Sequence, residues 1–225
     1  MKKSVEKEVK RLIDELKLNC SVEDFRDEIC WIKISSYKNI SEDFIKEFKD
    51  KVDWGCVSIH QNLSENFIRE FRNKVYWDHI SLRQKLSEDF IREFQYKVDW
   101  TDISIFQNLS ENFIREFKDA VAWIYISEYQ QLSEDFIREF KDRVAWSGGI
   151  SYCQNLSENF IREFRDRVDW KYIAKQNLSE NFIREFRNKL PKRFVKRKIA
   201  KYERYFNRCL QQKRSKVNPM EYIEI

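Results

Sequence analysis

Tryptophan recurs at positions 31, 54, 77, 100, 123, 146 and 170, a spacing of 23 residues five times and 24 once, and these are all the tryptophans of the chain. Such regularity points to one structural unit copied in tandem. A 23-residue unit cannot bury its own apolar side chains, so neighbouring copies must cover them. Leu109 to Gln130 shows the unit in full, LSENFIREFKDAVAWIYISEYQ, and near-copies begin at Leu63, Leu86, Leu132 and Leu156. The ends drift, as terminal repeats do. CSVEDFRDEICW opens the array, and the last copy puts Lys192 in the tryptophan position with Pro191 before it.

The first half of each repeat predicts a helix. Ser41, Ser64, Ser87, Ser110, Ser133, Ser157 and Ser179 stand where an N-cap hydroxyl accepts from a free backbone N–H, and each is followed by Glu and then Asp or Asn, which suit the positive end of the dipole. Phe67, Ile68, Phe71 and Val75 lie at i, i+1, i+4 and i+8, one apolar stripe at helical periodicity, with Leu63 placed to staple onto Ile68. The expected helix has about three turns. The second half, Trp-x-x-Ile-Ser-x-x-Gln, is short and rich in β-branched and aromatic residues, which predicts a short strand. Together these give an α/β solenoid of about seven helix-plus-strand repeats, curved with strands inside because strands pair more closely than helices pack. A mostly α solenoid with short turns in place of strands is the alternative.

In Trp100-Thr-Asp-Ile103-Ser-Ile105-Phe-Gln-Asn108-Leu109 the apolar positions and the Asn resemble those of a leucine-rich repeat, although Ser36, Glu128 and Lys175 replace Ile105 elsewhere. The combination of Leu-Ser-Glu, Phe-Ile-Arg-Glu-Phe and Val-x-Trp, from Ile40 to about Leu190, is similar to a short tandem repeat of proteins from giant DNA viruses and some phages. That resemblance implies a viral interaction protein and supplies no mechanism.

The near-constant positions all have structural explanations. Gln61, Gln84, Gln107, Gln130, Gln154 and Gln176 recur after the tryptophan segment, where their amides are expected to form a ladder. The Arg and Glu of Ile-Arg-Glu-Phe are placed to pair between neighbouring helices, at ~0–1 kcal/mol each. Variation concentrates after the Trp and after the Ile-Ser. One row there holds Tyr37, His60, Arg83, Phe106 and Tyr129; the other holds Asp78, His79, Asp102, Tyr125 and Tyr172. Diversity on a fixed scaffold is the pattern of a recognition surface, so these ten residues are the candidate partner-binding set. Ser147-Gly148-Gly149 adds a residue and the following repeat loses one, a local irregularity suited to a bulge or bend that shapes a site.

From Arg187 to Lys216 the chain carries thirteen basic residues against one acid, Glu203, whereas its formal net charge is only +5. Val195, Ile199, Tyr202, Phe206 and Leu210 recur at helical spacing, so this segment reads as a cap helix. Lys192, Arg193, Lys196, Arg197, Lys198, Lys201, Arg204 and Arg208 form its exposed basic patch, with Tyr205 available for stacking. Val5, Val9, Leu12, Ile13 and Leu16 define a matching N-terminal cap. The resulting organisation is a cap helix over residues 1–19, a solenoid over 20–190, a basic cap helix over 191–216 and a tail over 217–225.

Catalytic machinery is not legible. Three glycines leave no phosphate-cradling loop, both histidines occupy variable positions, and five dispersed cysteines form neither a metal motif nor a disulfide framework. No run of 18 apolar residues or signal-peptide core occurs. The expectation is a non-enzymatic cytoplasmic protein, in the host cytosol if viral, that needs no cofactor, metal, membrane or small-molecule substrate. It would bind and inhibit or sequester a host protein; the alternative is nucleic-acid binding through residues 192–216.

Overall fold

The computed structural model describes residues 1–37 and 39–216, and of Glu28, Phe206, Asn207 and residues 209–216 the backbone alone. The tail at 217–225 and the apolar positions Phe206 and Leu210 therefore lie outside the described side chains. Two compact bodies emerge, Met1–Ala122 and Trp123–Ile225. Each is a stack of helical repeats.

The expected strands are absent among the described residues: every segment from Trp to the Gln is helical, which corrects the α/β assignment in favour of the all-α alternative. In the N-terminal body these segments are Trp31–Ser35, Trp54–His60, Trp77–Arg83 and Trp100–Phe106. In the C-terminal body they are Trp123–Tyr129, a π-helix at Trp146–Ile150 continuing into Ser151–Cys153, and Trp170–Ile173. β-branched composition misled because propensity is a weak prior for a segment fixed at both ends by tertiary contacts. At its start, the side chains of Asp53 and Asp99 accept from the N–H groups of Cys56 and Asp102. At its end, Gln61, Gln84 and Gln107 close the last turn through their own backbone N–H. The leucine-rich pattern fails for the same reason: Ile103 is buried, while Ile105, two residues on, is half-exposed on the outer side of the same helix.

The Ser-capped helices are shorter than three turns. Glu65–Glu70, Glu88–Glu93 and their equivalents have six residues each and run into a turn. All seven predicted N-caps form, with Ser64 Oγ accepting from Phe67 N at 3.2 Å as the typical case. The apolar stripe is buried as predicted, Phe67, Ile68, Phe71 and Val75 included. Each Trp packs its ring on the following helix, Trp54 lying 6.2 Å from Phe67 and 5.0 Å from Phe71. Its indole N–H donates to the carbonyl of Lys49, five residues earlier.

Three sets of hydrogen bonds join successive repeats. The Gln84 amide donates to the carbonyls of Ser58 and Gln61 and accepts from Leu63 N, so one buried side chain satisfies three backbone groups of the preceding repeat. Gln61 and Gln154 do the same in their bodies. The ladder thus runs from amide to backbone. The Ser of Ile-Ser donates to the Trp carbonyl one turn back and accepts from the next repeat, as Ser58 does from Tyr76 N. The Glu after each capping Ser also reaches forward: Glu42 and Glu65 accept from the backbone N–H of Ser64 and Ser87 at 2.6 Å.

Arg69, Arg92, Arg138 and Arg162 pair with Glu93, Glu116, Glu163 and Glu185 of the next repeat at 2.7–2.9 Å. Each guanidinium also covers a Phe of that repeat, as Arg69 covers Phe90 at 4.9 Å.

At the N-terminal end, helix Lys3–Leu16 buries Val5, Val9 and Leu12, and its Glu8 bonds Ser41 N as a repeat Glu would. At the C-terminal end, helix Lys192–Lys216 starts where a Trp segment would start and packs Phe194, Val195, Ile199 and Tyr202 on the last repeat. Here the Ser of Ile-Ser is Ala174, and the residue whose N–H would have bonded it is Pro191, which has none. Donor and acceptor disappear together.

Candidate interaction face

Along each Trp segment, four positions are consumed by the scaffold: the Trp, the Ile or Val three residues on, the Ser after it, and the Gln that closes the turn. The positions two, five and six residues after the Trp stand at i, i+3 and i+4 and so share one side of the helix. Of the two variable rows read from sequence, all but Asp78, which directly follows Trp77, stand at these positions, so both rows contribute to one outer face in each body. In the N-terminal body it comprises Cys56, Ile59 and His60, then His79, Leu82 and Arg83, then Asp102, Ile105 and Phe106.

His60, Arg83 and Phe106 are exposed at the same position of three successive helices, Phe106 to 54%. Tyr37 holds the equivalent place but is half-buried, and its hydroxyl donates to Glu15 at 2.9 Å, a bond that pushes the phenol pKa up. It belongs to the cap contact as much as to the face. Asp78 is exposed, whereas His79 is half-buried, stacked at 5.9 Å on Tyr76 with Nδ1 3.3 Å from the Gly55 carbonyl oxygen. Burial, and then the carboxylates of Asp99 and Asp78, hold the Asp102 carboxyl above the usual aspartate range. A groove of about 900 Å³ lies beside this face, lined by Arg11, Asn39, His60 and Asn62 among others.

In the C-terminal body, Tyr125 and Tyr129 stand 6.3 Å apart and Tyr129 is 58% exposed. Tyr172 pairs with Tyr152 at 5.1 Å, and the Lys175 ammonium covers both rings at 5.0 and 4.7 Å. Tyr152 and Lys175 were not among the predicted contacts. The signal for them was the break in repeat length. The added residue is absorbed as a π-turn, in which Ile150 N donates to Ala145 O at 2.9 Å, rather than as a strand bulge. A Cβ on Gly149 would lie 2.4 Å from Ser127 Cβ, so only glycine permits this turn to sit against the preceding repeat. The Gln ladder loosens nearby, Gln176 reaching the Ser151 carbonyl at 3.4 Å. A cleft of about 600 Å³ opens there, with Tyr152, Asn155, Tyr172, Lys175 and Asn177 in its wall.

The eight predicted basic residues lie on helix Lys192–Lys216, all exposed except Lys198, which is half-buried with its ammonium 5.7 Å from the Phe194 ring. Among the described residues, no group of three His, Cys, Asp or Glu is placed to hold a metal, and no helix is long and apolar enough to cross a membrane. Burial pushes the Cys56 and Cys153 thiols up, away from the reactive thiolate range. No protein-family model, curated protein or solved structure matches the chain.

Proposed function

We propose that the chain is a protein-binding repeat scaffold, and that the outer face of its Trp segments, centred on His60, Arg83 and Phe106, is the recognition surface. The observation that carries this reading is the division of labour within each repeat. The near-constant side chains are occupied in caps, core or inter-repeat bonds, while the three that differ most stand exposed at one repeated position. Adjacent packed helices are ~8–10 Å apart, so these three span roughly 20 Å, enough to contact one structural element of a partner. An imidazole, a guanidinium and a phenyl ring supply flat contact area with polar edges, the chemistry of interface anchors. Given the resemblance of the repeat to viral tandem repeats, the partner we propose is a host protein, which the chain would inhibit or sequester in the cytosol.

Tagged wild-type protein and the His60→Ala/Arg83→Ala/Phe106→Ala variant, matched for thermal unfolding, would be used to purify partners from cells in which the chain is naturally expressed. The expected result is a host protein recovered in near-stoichiometric amount with the wild type and lost with the variant. Equal recovery with both would place recognition elsewhere.

A further inference from the structure

We propose that the C-terminal helix Lys192–Lys216 is a binding site for single-stranded nucleic acid, with phosphates on a basic stripe and a base stacked on Tyr205. This goes beyond the protein-binding face and uses none of its residues.

The stripe follows from helix geometry. Arg193, Arg197, Lys201, Arg204 and Arg208 are separated by four, four, three and four residues, which at ~100° per residue keeps them within an arc of roughly 80°. Val195, Ile199 and Tyr202 fall on the opposite side and pack against the last repeat, where the Tyr202 hydroxyl also donates to the Leu178 carbonyl at 3.2 Å. The docked face therefore fixes the basic face outward.

The five charges extend over about 22 Å at ~1.5 Å per residue, a spacing of 5–6 Å that suits successive phosphates of an extended strand. All five are exposed, and none forms an ion pair among the described residues. A surface this basic, left without internal counter-charges, concentrates anions.

Tyr205 selects the class of anion. The residue is 70% exposed and borders a shallow groove of about 360 Å³ with Lys201, Arg204 and Arg208. An exposed aromatic among cations is the arrangement on which unpaired bases stack, and a duplex keeps its base faces covered. A lipid surface fits less well because the described apolar residues of the helix, Phe194, Val195, Ile199 and Tyr202, are already engaged by the last repeat.

The test uses the full chain and fluorescence anisotropy with a labelled oligothymidine, a duplex of equal length and polyglutamate as competitor. Tight binding of the oligothymidine is expected at 50 mM salt. Raising salt to 200 mM should weaken it about 100-fold, a log–log slope near −3.5 for five phosphates. Tyr205→Ala should weaken it by about 5- to 100-fold without changing that slope. Arg197→Glu/Lys201→Glu/Arg204→Glu should abolish it while leaving thermal unfolding unchanged, since all three side chains are exposed. Equal or tighter binding of the duplex, indifference to Tyr205→Ala, displacement by polyglutamate as readily as by unlabelled oligothymidine, or retention of binding by the charge-reversed variant would each overturn the proposal.

Discussion

At the scale of the residue, the fold depends on buried polar side chains that act across repeat boundaries. Gln84 is 6% exposed and satisfies three backbone groups of its neighbour. Gln84→Ala removes all three bonds while leaving the Leu63 N–H and two carbonyls in place, so a loss of about 2–4 kcal/mol in urea unfolding is expected, far above a surface change. Asp102 works in the opposite sense. Its folded-state pKa is raised, chiefly by burial, so its ionisation disfavours the fold; the cost is absent below the unfolded pKa and grows as pH rises through the folded one. Asp102→Asn should therefore raise stability at pH 7, and the advantage over wild type should vanish as pH falls below about 4. Thermal unfolding of both proteins between pH 3 and 7 would show it, and a gain that grows toward acid would contradict this account.

At the scale of the element, the serine caps, the Phe-Ile stripe, the glutamine positions and both terminal helices were legible because each rests on a local rule of spacing or chemistry. The secondary structure of the Trp segment was not. Seven residues such as Trp-Thr-Asp-Ile-Ser-Ile-Phe carry too few turns for helical periodicity to stand out against β-branched composition. The missing clue was the Asp before the Trp, since Asp53 and Asp99 cap these helices as the serines cap the others. The positions two, five and six residues after each Trp vary in the sequence, but only the helix brings them onto one face.

The π-turn offers a direct test of how repeat length shapes structure. Gly149→Ala forces a methyl against Ser127 and should cost about 1–3 kcal/mol, whereas Gly55→Ala meets the end of the Asp53 side chain at 3.3 Å and the Tyr76 ring at an ordinary 3.9 Å, and should be near neutral. Deleting Gly148 restores the spacing Trp-x-x-Ile-Ser found in the other repeats. The protein should then fold with equal or greater stability while Tyr152 and Lys175 shift relative to Tyr172. Calorimetry gives the first result and tyrosine fluorescence near Lys175 the second.

At the scale of the molecule, every inter-repeat bond described within a body joins a repeat to its immediate neighbour, as Glu42 joins Ser64 and Glu65 joins Ser87. Stability within each body is then close to a sum of repeat and nearest-neighbour contributions, with a terminal helix closing one end of each body. Such an array tolerates the loss of a whole repeat but not of a fraction of one. Deleting residues 68–90 joins Phe67 to Ile91 and rebuilds one Ser-capped helix, Ser-Glu-Asn-Phe-Ile-Arg-Glu, in which Ser64 keeps Glu42 and Arg92 keeps Glu116 as neighbours while Glu65 takes the place of Glu88 before Ser110. This variant should unfold cooperatively, with Tm lowered by about 5 °C or less. Deleting residues 68–89 instead leaves one residue too many in that helix and rotates everything after it by ~100°, turning Phe94 and Val98 out of the core. The larger deletion should thus be the more stable of the two, by more than about 10 °C in Tm. Equal Tm values would show that the repeats are not in register-dependent contact, and the nearest-neighbour description of the array would fail.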